Sequence, residues 1–233
     1  MSEFRLNGML VLITGGASGI GGACAQWMTE HGCRVVIADR NEQAAAAMAL
    51  TLHGQAYGID VRDADAVADV VAAIEAQVGP VDILVNAAGV LQNPLPPDRL
   101  TMKEWDLVTG IDLRGTYAMC AAVGSRMAAR KRGSIVNIAS VAGVRPGRLH
   151  AYGPAKAAVI ALTETLAAEW GPDGVRVNAV SPGFTRTPAV AKSIEHGILT
   201  EGRLTGSTAL GRLIAPAEIA AAVGFLASPL ASA

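Results

Sequence analysis

Six times along the chain, a short apolar run is followed by a segment of helical period. The runs fall at residues 9–14, 34–38, a weaker stretch ahead of Ile59, then 81–85, 134–138 and 175–180. Most are continuously apolar rather than alternating, the mark of strands buried on both faces. Strands of that kind joined by helices form a parallel sheet with right-handed crossovers. The expectation is an α/β fold: a single-domain, Rossmann-like, doubly wound parallel sheet with helices on both faces, spanning residues 1–233.

Punctuation sets the helices. Gly79-Pro80 ends a helix over 63–78, and Thr101 with Glu104 reads as a capping box opening a long helix to about residue 130. A helix containing Tyr152 and Lys156 should begin near residue 153, because Pro154 is acceptable only in a first turn. Residues 184–215 carry no firm period, and a last helix starts after Pro216.

Composition narrows the partners. Apolar residues make up 51% but aromatics only 4%, so Ala, Val, Leu and Ile build the core. A formal net charge of -1, with no block of like charges, argues against nucleic acid or a membrane surface and for a small soluble ligand. Cys24, Cys33 and Cys120 show neither CxxC spacing nor neighbouring histidines, which argues against a metal site and for buried reduced thiols. The N-terminus lacks the apolar core of a signal peptide, so a cytoplasmic protein is expected.

In open sheets, ligands bind at the carboxyl ends of the strands. Gathered there are Gly15, Ser18, Gly19, Ile20 and Gly21 after the first strand, then Asp39 and Arg40, Asp60 and Val61, and Asn86 to Gly89. Ser140 and the segment 181–183 follow. A glycine turn between strand and helix lets backbone approach a pyrophosphate at the helix N-terminus, although G-x-x-x-G-x-G is not the common dinucleotide spacing. Asp39 closes the second strand, where an acid can bond the ribose hydroxyls and would repel a 2′-phosphate by roughly 4 kcal/mol at ~4 Å and a dielectric of ~20. That favours NAD over NADP; the adjacent Arg40 is the one group that could accept the phosphate. Tyr152 and Lys156, four apart, share a helix face, and a cation beside a phenol favours its ionised form, as an acid or base near neutral pH requires.

Taken in order, these motifs resemble those of the short-chain dehydrogenase/reductase family over almost the whole chain. Thr14-Gly15-x-x-x-Gly19-x-Gly21, Asn86-Ala87-Ala88-Gly89, Ser140, Tyr152-x-x-x-Lys156 and Pro182-Gly183 carry the resemblance. It implies hydride transfer between a nicotinamide and a carbon bearing an alcohol or carbonyl. Tyr152 would exchange the proton, Ser140 would hold the substrate oxygen, and Lys156 would assist the tyrosine and bind the nicotinamide ribose. Ile20 and the glycines would border the pyrophosphate, and Asp60 with Val61 would hold adenine. Asn86 and Gly89 would line the adenosine side, and Pro182, Gly183, Thr185 and Thr187 would lie near the carboxamide and phosphates. Homodimers or homotetramers are common in the family, and small residues such as Ala118, Ala121, Ala157 and Ala161 would permit close helix pairing.

The chain departs from the pattern in places. Asp112 stands where the family usually has a kink-forming asparagine that completes the catalytic group, and it brings a carboxyl group near Lys156. Ala87 replaces the second asparagine of Asn-Asn-Ala-Gly. At residues 228–233 the chain departs from relatives, which usually continue into another strand and a glycine-rich tail: either this form is truncated or its end has diverged, and a missing last strand would leave an exposed sheet edge. The substrate pocket should involve Leu91, Gln92, Asn93, Val141, Val144, Arg145, His150 and the 184–215 segment. It would suit a polyol or sugar, a hydroxy acid held by Arg145, or a hydroxysteroid-like alcohol. The alternative function is an NAD(H)-binding sensor or scaffold without turnover.

Overall fold

The computed structural model describes residues 4–232. The leader reading at residues 1–3, and Ala233, lie outside the described residues. Six strands form one parallel sheet: β1 (Leu10–Thr14), β2 (Arg34–Asp39), β3 (Gln55–Gly58), β4 (Ile83–Asn86), β5 (Gly133–Ile138) and β6 (Val175–Val180). Their order is β3-β2-β1-β4-β5-β6, so the winding reverses between β1 and β4 and β6 lies at an edge. That reversal is where open α/β sheets form their ligand crevice.

Successive residues of β1 face opposite layers, which explains why its run is continuously apolar. Leu10 and Leu12 enter a core with Val71 and Ile74 of α3 (Ala64–Gln77) and Met119 and Val123 of α5 (Thr116–Ala129). Val11 and Ile13 enter a second core with Met28 of α1 (Gly19–Glu30), Ala49 of α2 (Glu42–Thr51) and Val223 of α9 (Pro216–Ala227). Among the described residues no helix is long and apolar enough to cross a membrane.

Four local expectations are corrected or sharpened. The long helix after Thr101 is two helices, α4 (Met102–Thr109) and α5, joined by a π-turn over Gly110–Gly115. Gly115 permits the turn, because a Cβ there would come within 2.5 Å of Val61 Cγ2. The capping box is half formed: Thr101 Oγ1 accepts from Glu104 N, but the Glu104 carboxylate accepts from Asn93 N at 3.2 Å. Residues 184–215 contain two short helices, α7 (Pro188–Glu195) and α8 (Glu201–Gly206), packed through Val190, Leu204 and Leu213. The catalytic-type helix α6 (Tyr152–Trp170) starts one residue before the expected position and places Pro154 in its first turn, where no amide bond is lost.

Candidate active site

The turn from β1 into α1 is built for an anion. Gly15 has φ +62°, and a Cβ on it would lie 2.8 Å from Ala88 Cα, so only glycine lets this turn press against the end of β4. A Cβ on Gly21 would lie 2.3 Å from the Gly15 carbonyl oxygen. Ser18 caps α1 without any side-chain bond to its first-turn amides. Those N–H groups are therefore left for another acceptor, at the end of the helix that favours negative charge. A dinucleotide pyrophosphate fits this cradle, with Gly19 and Ile20 at its rim and Thr187 beside Gly19.

Asp39 closes the same crevice. Its carboxylate accepts from Ala17 N at 3.2 Å and Asn41 N at 3.0 Å, joining the glycine turn to the end of β2. Arg40 is exposed at this corner. Asp60 is engaged by Arg62, whose guanidinium holds its carboxyl below the ordinary carboxylate range; Arg40 adds a smaller pull in the same direction. Val61 beside it is buried.

Asn86 departs from the expectation that it lines the adenosine channel. It is buried, and its Nδ2 donates to Asn137 Oδ1 at 2.9 Å and to Cys120 Sγ at 3.2 Å; Asn137 Nδ2 in turn donates to Thr163 Oγ1. This row ties β4, β5 and α6 beneath the site. Gly89 is exposed, and a Cβ on it would approach Asp112 Oδ2 to 3.1 Å. Burial pushes the Cys24, Cys33 and Cys120 thiols up to about 12, which disfavours their thiolates.

The catalytic-type residues gather around the start of α6. Lys156, 4% exposed, donates from Nζ to Ile138 O at 2.9 Å, and the same Nζ sits 5.6 Å from the centroid of the Tyr152 ring. Asp112, fully buried at the π-turn, places Oδ2 3.2 Å from Lys156 Nζ and accepts from Val90 N at its Oδ1. Desolvation pushes the Asp112 carboxyl above its ordinary range, against the pull of Lys156 and the Val90 amide. Among the described contacts, the Asp112 carboxyl meets Lys156 and the Val90 amide, and none joins it to Tyr152 or Ser140.

Ser140 is buried at the end of β5, and its Oγ accepts from Ala142 N. The turn after it rests on α6, since a Cβ on Gly143 would come 2.8 Å from Ala157 N. Val141 N donates to Pro182 O, which fastens the serine turn to the Pro182-Gly183 loop. Thr185 is buried with its hydroxyl donating to Gly183 O, and Thr187 Oγ1 caps α7 at Val190 N. Gln92, expected to line the pocket, is instead buried and bonds the start of α6 through its Oε1, accepting from Ala151 N and Tyr152 N. Its contact lies 59 residues along the chain, and no local pattern announces it. A separate depression lined by Asp82, Arg132 and Arg176 sits at the opposite, amino ends of the strands and includes none of these residues.

The comparisons agree with this geometry. The family model described as enoyl-(acyl carrier protein) reductase matches residues 15–233. D-threitol dehydrogenase of Mycolicibacterium smegmatis is 40% identical, with 99% of this chain and 90% of that protein covered. The chain belongs to the short-chain dehydrogenase/reductase family. Galactitol 2-dehydrogenase of Rhizobium johnstonii, also 40% identical, covers 99% of this chain and 92% of its own. A Brucella melitensis structure described as ribose-5-phosphate isomerase is 54% identical at a TM-score of 0.95, covering 97% of this chain and 88% of that one. Among similar structures, one is described as NAD+-bound xylitol dehydrogenase and another as ElxO with NADP bound. They are 31% and 28% identical, cover 98% and 95% of this chain, and have TM-scores of 0.90 and 0.89.

Short-chain dehydrogenase/reductases bind nicotinamide cofactors and act on small molecules, and this chain is an oxidoreductase of the alcohol–carbonyl type.

Proposed function

We propose that the chain oxidises a secondary hydroxyl of a polyol or sugar alcohol with NAD, and reduces the corresponding ketone in reverse. The observation that carries this reading is the placement of the Tyr152 ring beside the Lys156 ammonium, on the same strand edge as the uncapped first turn of α1. A bound nicotinamide dinucleotide would supply the hydride acceptor or donor. Tyr152 takes the proton from the substrate hydroxyl, and Ser140 donates a hydrogen bond to the same oxygen as its charge develops. Lys156, held by Ile138 O and Asp112, keeps a cation at the phenol and offers donors to the nicotinamide ribose.

The polyol reading draws on the D-threitol and galactitol dehydrogenases among the relatives and on the mixed polar and apolar surroundings of Tyr152. The choice of NAD rests on Asp39, whose carboxylate at the end of β2 opposes a 2′-phosphate. Isomerisation of a sugar phosphate, the activity named for the Brucella structure, gives no role to a glycine turn closed by Asp39, which this chain keeps. Association into dimers or tetramers through α5 and α6 is part of the proposal, supported by the exposed Tyr117 on α5 and the small residues nearby. A monomer by sedimentation at micromolar concentration would refute that part.

The test is NADH formation with galactitol, D-threitol, xylitol and gluconate, comparing wild type with Tyr152→Phe. Loss of the phenolic proton should lower kcat by about 10²–10⁴-fold while NADH binding persists. Equal rates in the two proteins would remove Tyr152 from its assigned role.

A further inference from the structure

Beyond the assigned serine, tyrosine and lysine, we infer that Asp112 selects the redox state of the cofactor, its buried negative charge favouring oxidised nicotinamide over reduced. This assignment rests on the reading above, in which a nicotinamide dinucleotide binds with its ribose at Lys156.

Lys156 brings a positive charge to the site at 4% exposure, where water screens it little. Its ammonium donates to Ile138 O at 2.9 Å, and a neutral carbonyl cancels no charge. Oxidised nicotinamide has a positive ring, whereas the reduced ring is neutral. A buried lysine without a counter-charge would therefore oppose the oxidised ring and not the reduced one. Asp112 Oδ2, 3.2 Å from Nζ and 0% exposed, supplies the opposite charge at the same depth. With both groups ionised the pair is neutral overall, and the opposition to the oxidised ring is removed.

The carboxyl is close to the ligand crevice as well as to the lysine. Oδ1 is held by Val90 N at 2.9 Å, and Oδ2 has no hydrogen-bond partner among the described residues. Next to Oδ2 is Gly89, exposed just past the carboxyl end of β4, where a Cβ would stand 3.1 Å from that oxygen. The charge thus sits a glycine's width from the strand edge at which dinucleotides bind.

Neighbouring charges are engaged elsewhere. Lys103 and Asp106 of α4 are exposed, and Glu104 accepts from Asn93 N. Arg114 of the π-turn donates to Arg62 O, and Arg62 is paired with Asp60. Burial keeps Cys120 of α5 a thiol, and Tyr152 is the other titratable group beside Lys156. Among the described ion pairs, Asp112 is the one carboxyl that meets Lys156. Desolvation raises the pH at which it ionises, so the preference for oxidised nicotinamide grows as pH rises. Taking up NAD+ and releasing NADH favours the oxidising direction of the alcohol–carbonyl reaction.

Calorimetric titrations of NAD+, NADH and ADP-ribose into wild type and Asp112→Asn, from about pH 6 to about pH 9, test the assignment. Asparagine keeps the shape and an acceptor for Val90 N without the charge. The pyrophosphate is common to NAD+ and NADH, so its charge cancels in the ratio of their affinities. At the alkaline end, the affinity for NAD+ relative to NADH should be about 5- to 20-fold higher in wild type than in Asp112→Asn, the effect of one unit charge across a site at an effective dielectric of about 20. The difference should shrink as pH falls. NADH and ADP-ribose, which both lack the ring charge, should change by a common factor on substitution.

A relative affinity equal in the two proteins at every pH overturns the assignment. So does an equal weakening of all three ligands in Asp112→Asn, which reduces Asp112 to shaping the turn. If the variant does not fold, wild type decides alone: a ratio that rises with pH supports the assignment, and a flat one overturns it. Wild type that binds neither NAD+ nor NADH defeats the nicotinamide reading and this assignment with it, whereas binding of both with a ratio indifferent to Asp112 defeats this assignment alone.

Discussion

Asp112 Oδ2 lies 3.2 Å from Lys156 Nζ, with the two side chains 0% and 5% exposed, and the contact is an ion pair without the alignment of a hydrogen bond. The pair puts a titratable carboxyl, buried at the π-turn, against the lysine whose ammonium lies 5.6 Å from the centroid of the Tyr152 ring. Desolvation outweighs the attraction of Lys156, so ionising Asp112 in the folded protein is harder than in the unfolded chain.

The sign of the pH effect follows. A raised folded-state value adds stability that is complete below the unfolded value, 3.8, and is lost as pH rises through the folded one. Asparagine copies the protonated carboxyl and keeps an acceptor for Val90 N. Asp112→Asn should therefore gain stability over wild type as pH climbs from about 5 to 8, measured by thermal melts at several pH values. Its kcat–pH profile should also lose the wild-type inflection that belongs to this carboxyl. A stability difference that does not change with pH would refute the argument.

Asp39→Ala removes the charge that opposes a 2′-phosphate and also the acceptor that joins Ala17 N to β2. NADP use should rise relative to NAD, with the ratio of the two kcat/KM values shifting by about tenfold or more toward NADP. Initial rates with each cofactor at fixed galactitol provide the measurement.

Gly21→Ala would drive a methyl to 2.3 Å from the Gly15 carbonyl, backbone against backbone. Relief requires the cofactor turn to move. NADH affinity should fall by at least about tenfold, and stability by about 1–3 kcal/mol, read by fluorescence titration and denaturant melts.

Asn137→Ala removes the central member of the row from Asn86 to Thr163. Asn86 Nδ2 and Cys120 Sγ lose the acceptor Asn137 Oδ1, and Thr163 Oγ1 loses its donor, so the cost should be about 2–4 kcal/mol, with kcat falling less than for Tyr152→Phe. Urea unfolding reads the first, and polyol oxidation reads the second.

The fold was legible because it depends on short-range rules. Continuous apolar runs announced strands covered on both faces, and their order placed Gly15, Gly19, Gly21 and Asp39 on one strand edge. The π-turn was not legible: Gly110 and Gly115 sit within helical periodicity, and what requires glycine at 115 is Val61, more than fifty residues earlier. α7 and α8 are too short to show a period, and their stability comes from packing Val190 on Leu204 and Leu213. Asn86 reads as a strand-end polar residue by spacing, yet its partners are Asn137 and Cys120. The positions of Tyr152, Lys156 and Ser140 were readable from motif order, whereas the two contacts that adjust them, from Asp112 and Gln92, arise only when distant segments meet.

Asn86 and Asn137 occupy directly opposite positions on β4 and β5. Hydrophobic side chains above and below them would pack almost as well if one strand slid past the other, but the amides would not. A slip of one residue turns each carboxamide toward the opposite layer, among valines and isoleucines, with no partner. The pair therefore works as an alignment key for the sheet's centre. It excludes near-native pairings during folding and sets the carboxyl ends of the two strands level at Asn86 and Asn137.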